Sequence, residues 1–534
     1  MAEPKKQSFL HGAALLAMAT AVVKLIGAFY KIPLKMIIGD QGYGYFITAY
    51  DVYNVLLLIS TAGLPVAMSR LISQASALGN QNQVRKVYRT ARAIFLGLGI
   101  VSSLFMILAS KWLANNVLMQ PNAAYAIACL GPCALFMGII STFRGFFQGH
   151  GNMAPTSASQ VLEAFIKLLV GLGLAFLLTM RYNSVPLAAG GAILGVTCGC
   201  LVSAIFLYTK FRPAYRQLPA SQDASLSYGA TAKALLAIAV PITIGSAGLQ
   251  LLTVIEQKLY MGQLLNTLGL SQDTADTMKG IYSMTMTIYN MPCAFIVPIA
   301  ISVIPAIASA LTLKEDSTVR ETEESAARVA GLISLPCSVG LCLLARPIMA
   351  LLGGYTDEKL ELATSLMTVL GLCVFLYAII QYTNALLQAH GFAHLPVVNM
   401  LLAGITKLAV VYILVGNPSL GILGAPIGSV LSYTAIAALN LLSIRRVVPQ
   451  KPALLKNLLR PLLPAALMGA SVWFVRFLLE RILGADGSRV LLCGVPIAVG
   501  IAVYVLGIAL FKTVKKEDCM LLPKGEKLVK LLKL

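Results

Sequence analysis

The feature that most limits what this chain can fold into is a succession of apolar runs. Each is about 20 residues long, the length an α-helix needs to cross the hydrocarbon of a bilayer. They fall at roughly 10–38, 43–69, 91–110, 123–147, 156–179, 185–209, 233–262, 280–310, 328–350, 363–388, 396–416, 420–444, 460–480 and 490–511. In lipid every backbone donor and acceptor must be met within the protein, which helices do segment by segment. The expected fold class is therefore an all-α polytopic membrane protein with about fourteen transmembrane helices.

Charged residues make up 12% of the chain, against about 25% in soluble domains. The formal net charge of +20 comes from basic residues between the spans and in the tail, not from a soluble basic domain, so membrane lipid and not nucleic acid is the expected partner. With the N-terminus in the cytoplasm, about 26 Lys and Arg fall in cytoplasmic segments and about 7 in external ones. A multi-pass protein of the cytoplasmic membrane with both termini inside is expected, without a cleavable leader.

The chain repeats itself. FFQGHGNMAPTSASQVLEAFIK, around residue 148, and LLQAHGFAHLPVVNMLLAGITK, around residue 388, align at an offset of 240 residues, with Gln148, His150, Gly151 and Lys167 on Gln388, His390, Gly391 and Lys407. The same offset carries Leu64-Pro65 and Ser69 onto Ile304-Pro305 and Ser309. Six spans separate the copies, so both run in the same direction, a parallel repeat about an axis normal to the membrane. The expected organisation is a six-helix lobe at 1–210, a cytoplasmic linker at 211–232, a second six-helix lobe at 233–446, two further helices at 447–511 and a basic cytoplasmic tail at 512–534. In that tail Lys524, Lys527, Lys530 and Lys533 recur at helical spacing among leucines, the pattern of an interfacial helix. The mixed-sign segment 314–328 reads as a solvated amphipathic connector.

Charges inside the spans are costly and so point to function. Lys24, Lys31 and Lys35 lie within about 40° of one another on a helix wheel, a basic stripe suited to a watery cavity that receives an anion. Lys31 and Lys35 are also near enough to the end of the run to reach headgroups. In the second span Asp51 stands beside Tyr50, Tyr53 and Asn54 and is a partner for a lysine of the first span or a substrate contact. Glu163 and Lys167, four apart, can satisfy each other. Arg144 near the cytoplasmic face is placed for an anionic headgroup or for snorkelling. Glu256 and Lys258, two apart, point to different faces, so at least one of them is expected to face the cavity. The candidate substrate-binding set is Lys24, Lys31, Asp51, Asn54, Arg144, Glu256 and Lys258.

Enzyme signatures are missing: there is no HExxH, no GxSxG and no phosphate-binding loop. The ten cysteines fall mostly inside spans without zinc-ribbon or redox spacing and read as small core residues. His390 and His394 lack a ligand cluster. No catalytic residue, metal or cofactor is expected.

The segments GDQGYG at 39–44, GLPVAMSRLIS at 63–73 and QGHGNMAPTSASQVLEAFIK at 148–167 resemble the multidrug/oligosaccharidyl-lipid/polysaccharide (MOP) exporter superfamily. They look most like its polysaccharide-biosynthesis branch, which contains stage V sporulation protein B and is related to the lipid II flippases of the MurJ family. The resemblance implies a MATE-like fold of two pseudo-symmetric lobes plus two C-terminal helices, with a groove beside those two helices for a prenyl tail. Lys24 with Gly27 looks like the Arg-x-x-Gly element of the MurJ family's first helix. The next basic residue, Lys31, stands seven positions on, where that family has six. The implied cargo is an undecaprenyl-pyrophosphate-linked cell-wall precursor, lipid II foremost, moved from the inner to the outer leaflet with a coupling ion the sequence does not name. A multidrug/cation antiporter of the same fold and a non-transporting partner in cell-wall or spore-envelope assembly remain open alternatives.

Overall fold

The computed structural model describes residues 9–61, 63–219, 225–312, 316–449, 452–484 and 487–515. Among these the regular structure is entirely helical. The first part of the chain forms α1 (Phe9–Thr61), α2 (Leu64–Ala77), α3 (Gln81–Leu108), the single turn α4 (Ser110–Trp112), α5 (Ala124–Gly149), α6 (Ala154–Tyr182), α7 (Val185–Arg216) and α8 (Tyr228–Gly262). It continues through α9 (Gln272–Thr312), α10 (Asp316–Leu343), α11 (Ala345–Leu352), α12 (Asp357–Ala389) and α13 (His394–Val415). The last helices are α14 (Gly424–Val447), the short α15 (Leu454–Leu458), α16 (Leu462–Leu483) and α17 (Arg489–Leu510). Among the described residues ten helical segments are long and apolar enough to cross a membrane. The two arms of α1, together with α8 and α9, occupy the other positions at which the apolar runs predict spans. This is a multi-pass membrane protein. The lysine-rich tail helix expected around Lys524 lies outside the described residues.

Contacts divide the chain into two compact units, Met1–Gly280 and Ile281–Leu534. In the first, α1 is two helices joined at Gly39, whose φ of 71° and ψ of −175° leave the helical region. A straight helix would hold Tyr30 and Phe46 about 24 Å apart, yet their ring centroids are 5.8 Å apart. The arms 9–38 and 40–61 therefore fold back on one another through a single residue. Glycine suits the turn because φ in this range strains a side-chain-bearing residue. Across the turn Lys35 Nζ lies 3.1 Å from Asp40 Oδ1, both side chains almost fully buried. Lys35 thus closes the turn.

Helix α7 packs on α6 through small residues four apart. Gly195 lies against the backbone of Gly171 and Gly199 against the Glu163 carbonyl, where a Cβ would collide. Such stripes let helices approach closely in lipid, where burial of apolar surface gives little drive. At the break between α1 and α2, Gly63 lies against the Ala239 carbonyl of α8. Helix α8 and the opening of α9 thus extend this compact unit past residue 210, where the repeat reading ends its first lobe.

The second unit packs Val303 and Ile307 of α9, Val319 and Ala327 of α10, Leu386 and Leu387 of α12, Ala403 of α13, Ile436 and Ala437 of α14 and Leu458 of α15 into one apolar cluster. A buried amide network crosses it. Asn399 donates to Asn440 Oδ1 at 2.9 Å, and Asn440 in turn donates to Thr383 Oγ1 and Asn384 Oδ1 at 2.9 and 2.8 Å. The solvated connector expected at 314–328 is corrected here, because its described part is the start of α10. Glu323 is fully buried with its Oε1 2.6 Å from His390 Nε2, and buried Arg328 donates to Asn457 Oδ1 at 2.9 Å. Tertiary pairing with α12 and α15 outweighs the local polarity of the segment.

The repeated Gln-x-His-Gly motif has a common local structure. Gly151 and Gly391 take φ of 73° and 86°, each donating its N–H to the carbonyl of Gln148 or Gln388 at 3.0 Å. The next residues, Asn152 and Phe392, donate back to Phe147 and Leu387 at 3.0 and 2.9 Å. These are left-handed glycine caps that close α5 and α12. Replacing either glycine by alanine should cost about 1–2 kcal/mol, read as a lowered melting temperature of the detergent-purified protein. The same exchange at Gly173, which has no neighbour within 4 Å, should not lower it.

Candidate functional site

The first unit buries a continuous polar network. It begins where Asp51, on the second arm of α1, lies 3.6 Å from Lys279 Nζ on α9, the two side chains 15% and 6% exposed. Lys279 also donates to Gln257 Oε1 of α8 at 3.1 Å. Gln257 Nε2 donates to Thr48 Oγ1 at 3.0 Å, and Thr48 donates to Gln120 Oε1. From Gln120 Nε2 the chain of bonds runs to Asp276 Oδ1 at 2.9 Å. Tyr45 OH donates to Asp276 Oδ2 at 2.9 Å and Gln272 Nε2 donates to its Oδ1 at 3.0 Å. Thr48, Asp51, Gln257 and Lys279 thus come from three helices, and the amides of Gln257 and Gln120 are each oriented by donating with one end and accepting with the other. Fully connected networks of this kind fix geometry in a low-dielectric interior.

A second cluster lies along the two arms of α1. Lys167 Nζ, on α6, sits 5.3 Å from the ring centroid of Tyr30 on the first arm and 5.3 Å from that of Tyr50 on the second. The Tyr30 hydroxyl is engaged by the Ala192 carbonyl at 3.0 Å. Tyr50 packs edge-on to Tyr53, with centroids 6.1 Å apart, and Tyr53 OH lies 3.2 Å from Cys133 Sγ. Cys133 Sγ is in turn 2.9 Å from Cys200 Sγ, which ties α1, α5 and α7 together at this depth.

The candidate residues divide accordingly. Asp51 belongs to the first network, and its ion-pair partner is Lys279 of α9, although Lys31 of the first arm lies within electrostatic range of both Asp51 and Lys167. Glu256 is buried, 8% exposed, and acts electrostatically on Asp51 and Lys279. Lys258, two residues on, is exposed, so the two do point to different faces. Lys24 is exposed on the first arm and Asn54 is half-buried on the second. Arg144 is held by Glu163 Oε2 at 3.0 Å and by Ser159 Oγ at 3.1 Å. This corrects the expected Glu163–Lys167 pairing, because a guanidinium from the neighbouring helix α5 takes the carboxylate and leaves Lys167 to the aromatic faces.

Lys279, Gln257, Thr48, Gln120 and Asp276 were not among the candidates. Lys279 and Asp276 fall just before the apolar run expected at 280–310 and read there as loop residues, and the others are neutral and carry no charge signal. Among the described residues no group of three or more His, Cys, Asp or Glu is arranged to hold a metal ion. Chemically the unit offers ammonium, amide and hydroxyl donors around a few carboxylates that are already engaged, an arrangement for holding a polar, anionic group within a membrane.

Comparison with known proteins agrees with this architecture. Stage V sporulation protein B of Bacillus subtilis (strain 168) is 24% identical over 530 residues, 97% of this chain and 98% of that protein. The lipid II flippase MurJ of the same organism is 23% identical over 513 residues, 93% and 94% of the two chains. Among solved structures, lipid II flippase MurJ in an inward closed conformation superposes with a TM-score of 0.69 at 14% identity, covering 93% of this chain and 98% of that one. An inward-facing multidrug resistance MATE family transporter of the MOP superfamily does so with a TM-score of 0.64 at 17% identity, covering 81% and 99%. The fold is therefore MATE-like, and the resemblance read from the 39–44, 63–73 and 148–167 segments is borne out. A family model described as polysaccharide biosynthesis protein matches residues 9–311, more than half of the chain, and the chain belongs to that family.

Proposed function

We propose that this protein is a flippase that moves an undecaprenyl-pyrophosphate-linked cell-wall precursor, lipid II foremost, from the inner to the outer leaflet by alternating access. The observation that carries the reading is the collection of Lys31, Lys167 and Lys279 in one membrane-embedded unit. Each intramembrane lysine is costly, and a pyrophosphate supplies the charge that offsets them. The similarity to MurJ and to stage V sporulation protein B supports a lipid-linked cargo, and Lys24 occupies the position at which the resemblance puts a substrate-binding cation. Asp51 and Glu256 would hold the lysines apart and poised, Asn54 would meet sugar or peptide, and the prenyl chain would stay in lipid beside α16 and α17. In this reading the N-terminus is cytoplasmic. A charged cargo also feels the membrane potential, about 2.3 kcal/mol per charge per 100 mV, so export should slow when the potential is collapsed.

The test uses cells depleted of their own lipid II flippases and an external enzyme that cleaves only lipid II exposed on the outer leaflet. Expression of this protein should restore cleavage, and a folded Lys24→Gln variant should lose it. Normal membrane expression without cleavage would turn the search to other prenyl-linked glycans. Drug efflux that is intact in Lys24→Gln, with no lipid export by the wild type, would favour the antiporter reading.

The Asp51–Lys279 pair makes a separate prediction. Asp51→Ala leaves a buried ammonium without its counter-charge and should lower stability by about 3 kcal/mol. The double variant Asp51→Asn/Lys279→Gln should recover most of that loss, with both melting curves measured in the same detergent.

A further inference from the structure

The hydrogen bonds between Lys279 and Asp276 all run one way. Lys279 donates to Gln257 at 3.1 Å, Gln257 to Thr48 at 3.0 Å, Thr48 to Gln120, and Gln120 to Asp276 Oδ1 at 2.9 Å. With an ammonium at one end and a carboxylate at the other, the aligned bonds polarise one another, and no amide can turn over without breaking its neighbours' bonds. The carboxylate end has no counter-charge. Asp276 is fully buried and is met only by neutral donors: Gln120, Gln272 at 3.0 Å and Tyr45 at 2.9 Å. Among the described residues no cation stands within ion-pair distance of it, and the lysines on either side of the network are held by Asp40 and Asp51. The other titratable groups facing this end are Tyr45 from α1 and Asp273 from its own helix. Lys279, three residues on, faces Asp51 from α1 and Glu256 and Tyr260 from α8, and the segment 113–123 contributes no charge.

A protein interior disfavours a carboxylate without a cation, and uptake of a proton removes the charge. Water lies close by, because Asn122, which donates to the Tyr45 hydroxyl at 3.3 Å, and Asp273, one turn before Asp276, are both exposed. The backbone also bends to build the site. Met119 takes φ of 54°, a strained value for a residue with a side chain, and its carbonyl is held by Gln272 at 3.0 Å. That bend delivers the fully buried Gln120 to Asp276.

The geometry points to Asp276 as a proton-binding site whose occupancy sets how firmly Lys279 is held. As a carboxylate Asp276 accepts three bonds and anchors the chain. A proton on Oδ2 makes that oxygen a donor, so the Tyr45 hydroxyl must turn its own hydrogen away, and the neutral acid is a weaker acceptor for Gln120. Gln120 and Thr48 are then free to reverse, and Gln257 loses the partner that orients it. Lys279 is left with Asp51 and the face of Tyr260. The inference goes beyond the flippase reading and rests on it only in that Lys279 is one of the cations offered to the cargo.

The experiment uses the full-length protein in phosphatidylcholine nanodiscs and infrared difference spectra between about pH 8 and about pH 5. On acidification the wild type should gain a carboxylic-acid carbonyl band, a component of which is lost in Asp276→Asn and kept in Asp273→Asn. Tyr45→Phe removes a donor from the carboxylate and should move the midpoint of that component up by about one pH unit. Release of Lys279 is read at fixed neutral pH by reductive methylation and mass spectrometry. Asp276→Asn, which stands in for the protonated acid, should raise the rate of Lys279 methylation about fivefold. Gln120→Leu should raise it as much, and the double variant no further. If Asp276→Asn fails to fold, the Tyr45→Phe shift and the Gln120→Leu rate still decide the matter. An Asp276→Asn spectrum like that of the wild type, a midpoint unmoved in Tyr45→Phe, or unchanged Lys279 methylation overturns the assignment. None of these assays contains lipid II, so their failure and the failure of the export assay can be told apart.

Discussion

Placing a charge in hydrocarbon is the constraint on which the rest of this structure depends. The Asp51–Lys279 pair answers it in part, at 3.6 Å, and the amides of Gln257 and Gln120 carry the answer to Asp276 through successive hydrogen bonds. Removing one member uncovers another, because every donor in the series already faces its acceptor. Desolvation opposes such pairs, and only complete hydrogen bonding offsets it. The glycine contacts serve the same end. Gly195 on Gly171 and Gly63 on Ala239 bring helices close enough for short polar side chains to reach one another.

The architecture was legible because it rests on length and composition. Runs of about 20 apolar residues have few alternatives in lipid, and the Gln-x-His-Gly repeat fell at the same helix cap in each half. The site was legible only in part. Asp51 and Glu256 stood out as acids within apolar runs, whereas Lys279 lies one residue before a run and was hidden by the convention that loops hold the charges. The i,i+4 rule offered Lys167 to Glu163 because it sees a single helix, and it had no means to weigh Arg144 arriving from α5. Glu323 was misread for the opposite reason, since a polar neighbourhood in sequence concealed the burial supplied by His390 and Tyr382. The neutral members, Thr48, Gln120 and Gln257, leave no trace in a pattern of charge and hydropathy.

The two halves share a scaffold and differ in chemistry. At the repeat offset Glu323 corresponds to Gln83, and His390 to His150. Gln83 donates to Thr231 Oγ1 at 3.4 Å and accepts from the Leu226 N–H at 2.9 Å, while His150 Nδ1 meets the Phe146 carbonyl at 2.9 Å. The second half instead brings acid and imidazole together. A common backbone cap is therefore present in both halves, while beside it the first half has separate neutral bonds, Gln83 to α8 and the segment before it and His150 to its own helix, and the second has one buried acid–imidazole pair between helices.

The turn at Gly39 has a mechanical meaning. A connection of one residue, clamped by Lys35 and Asp40 and backed by Gly280 against the Asp40 carbonyl, contains no slack. Displacement of the first arm must pass to the second at once or be taken up by the two torsions of Gly39. The arms that carry Lys31 and Asp51 are thereby coupled like the limbs of a tweezer, with the two torsions of Gly39 as the hinge between them.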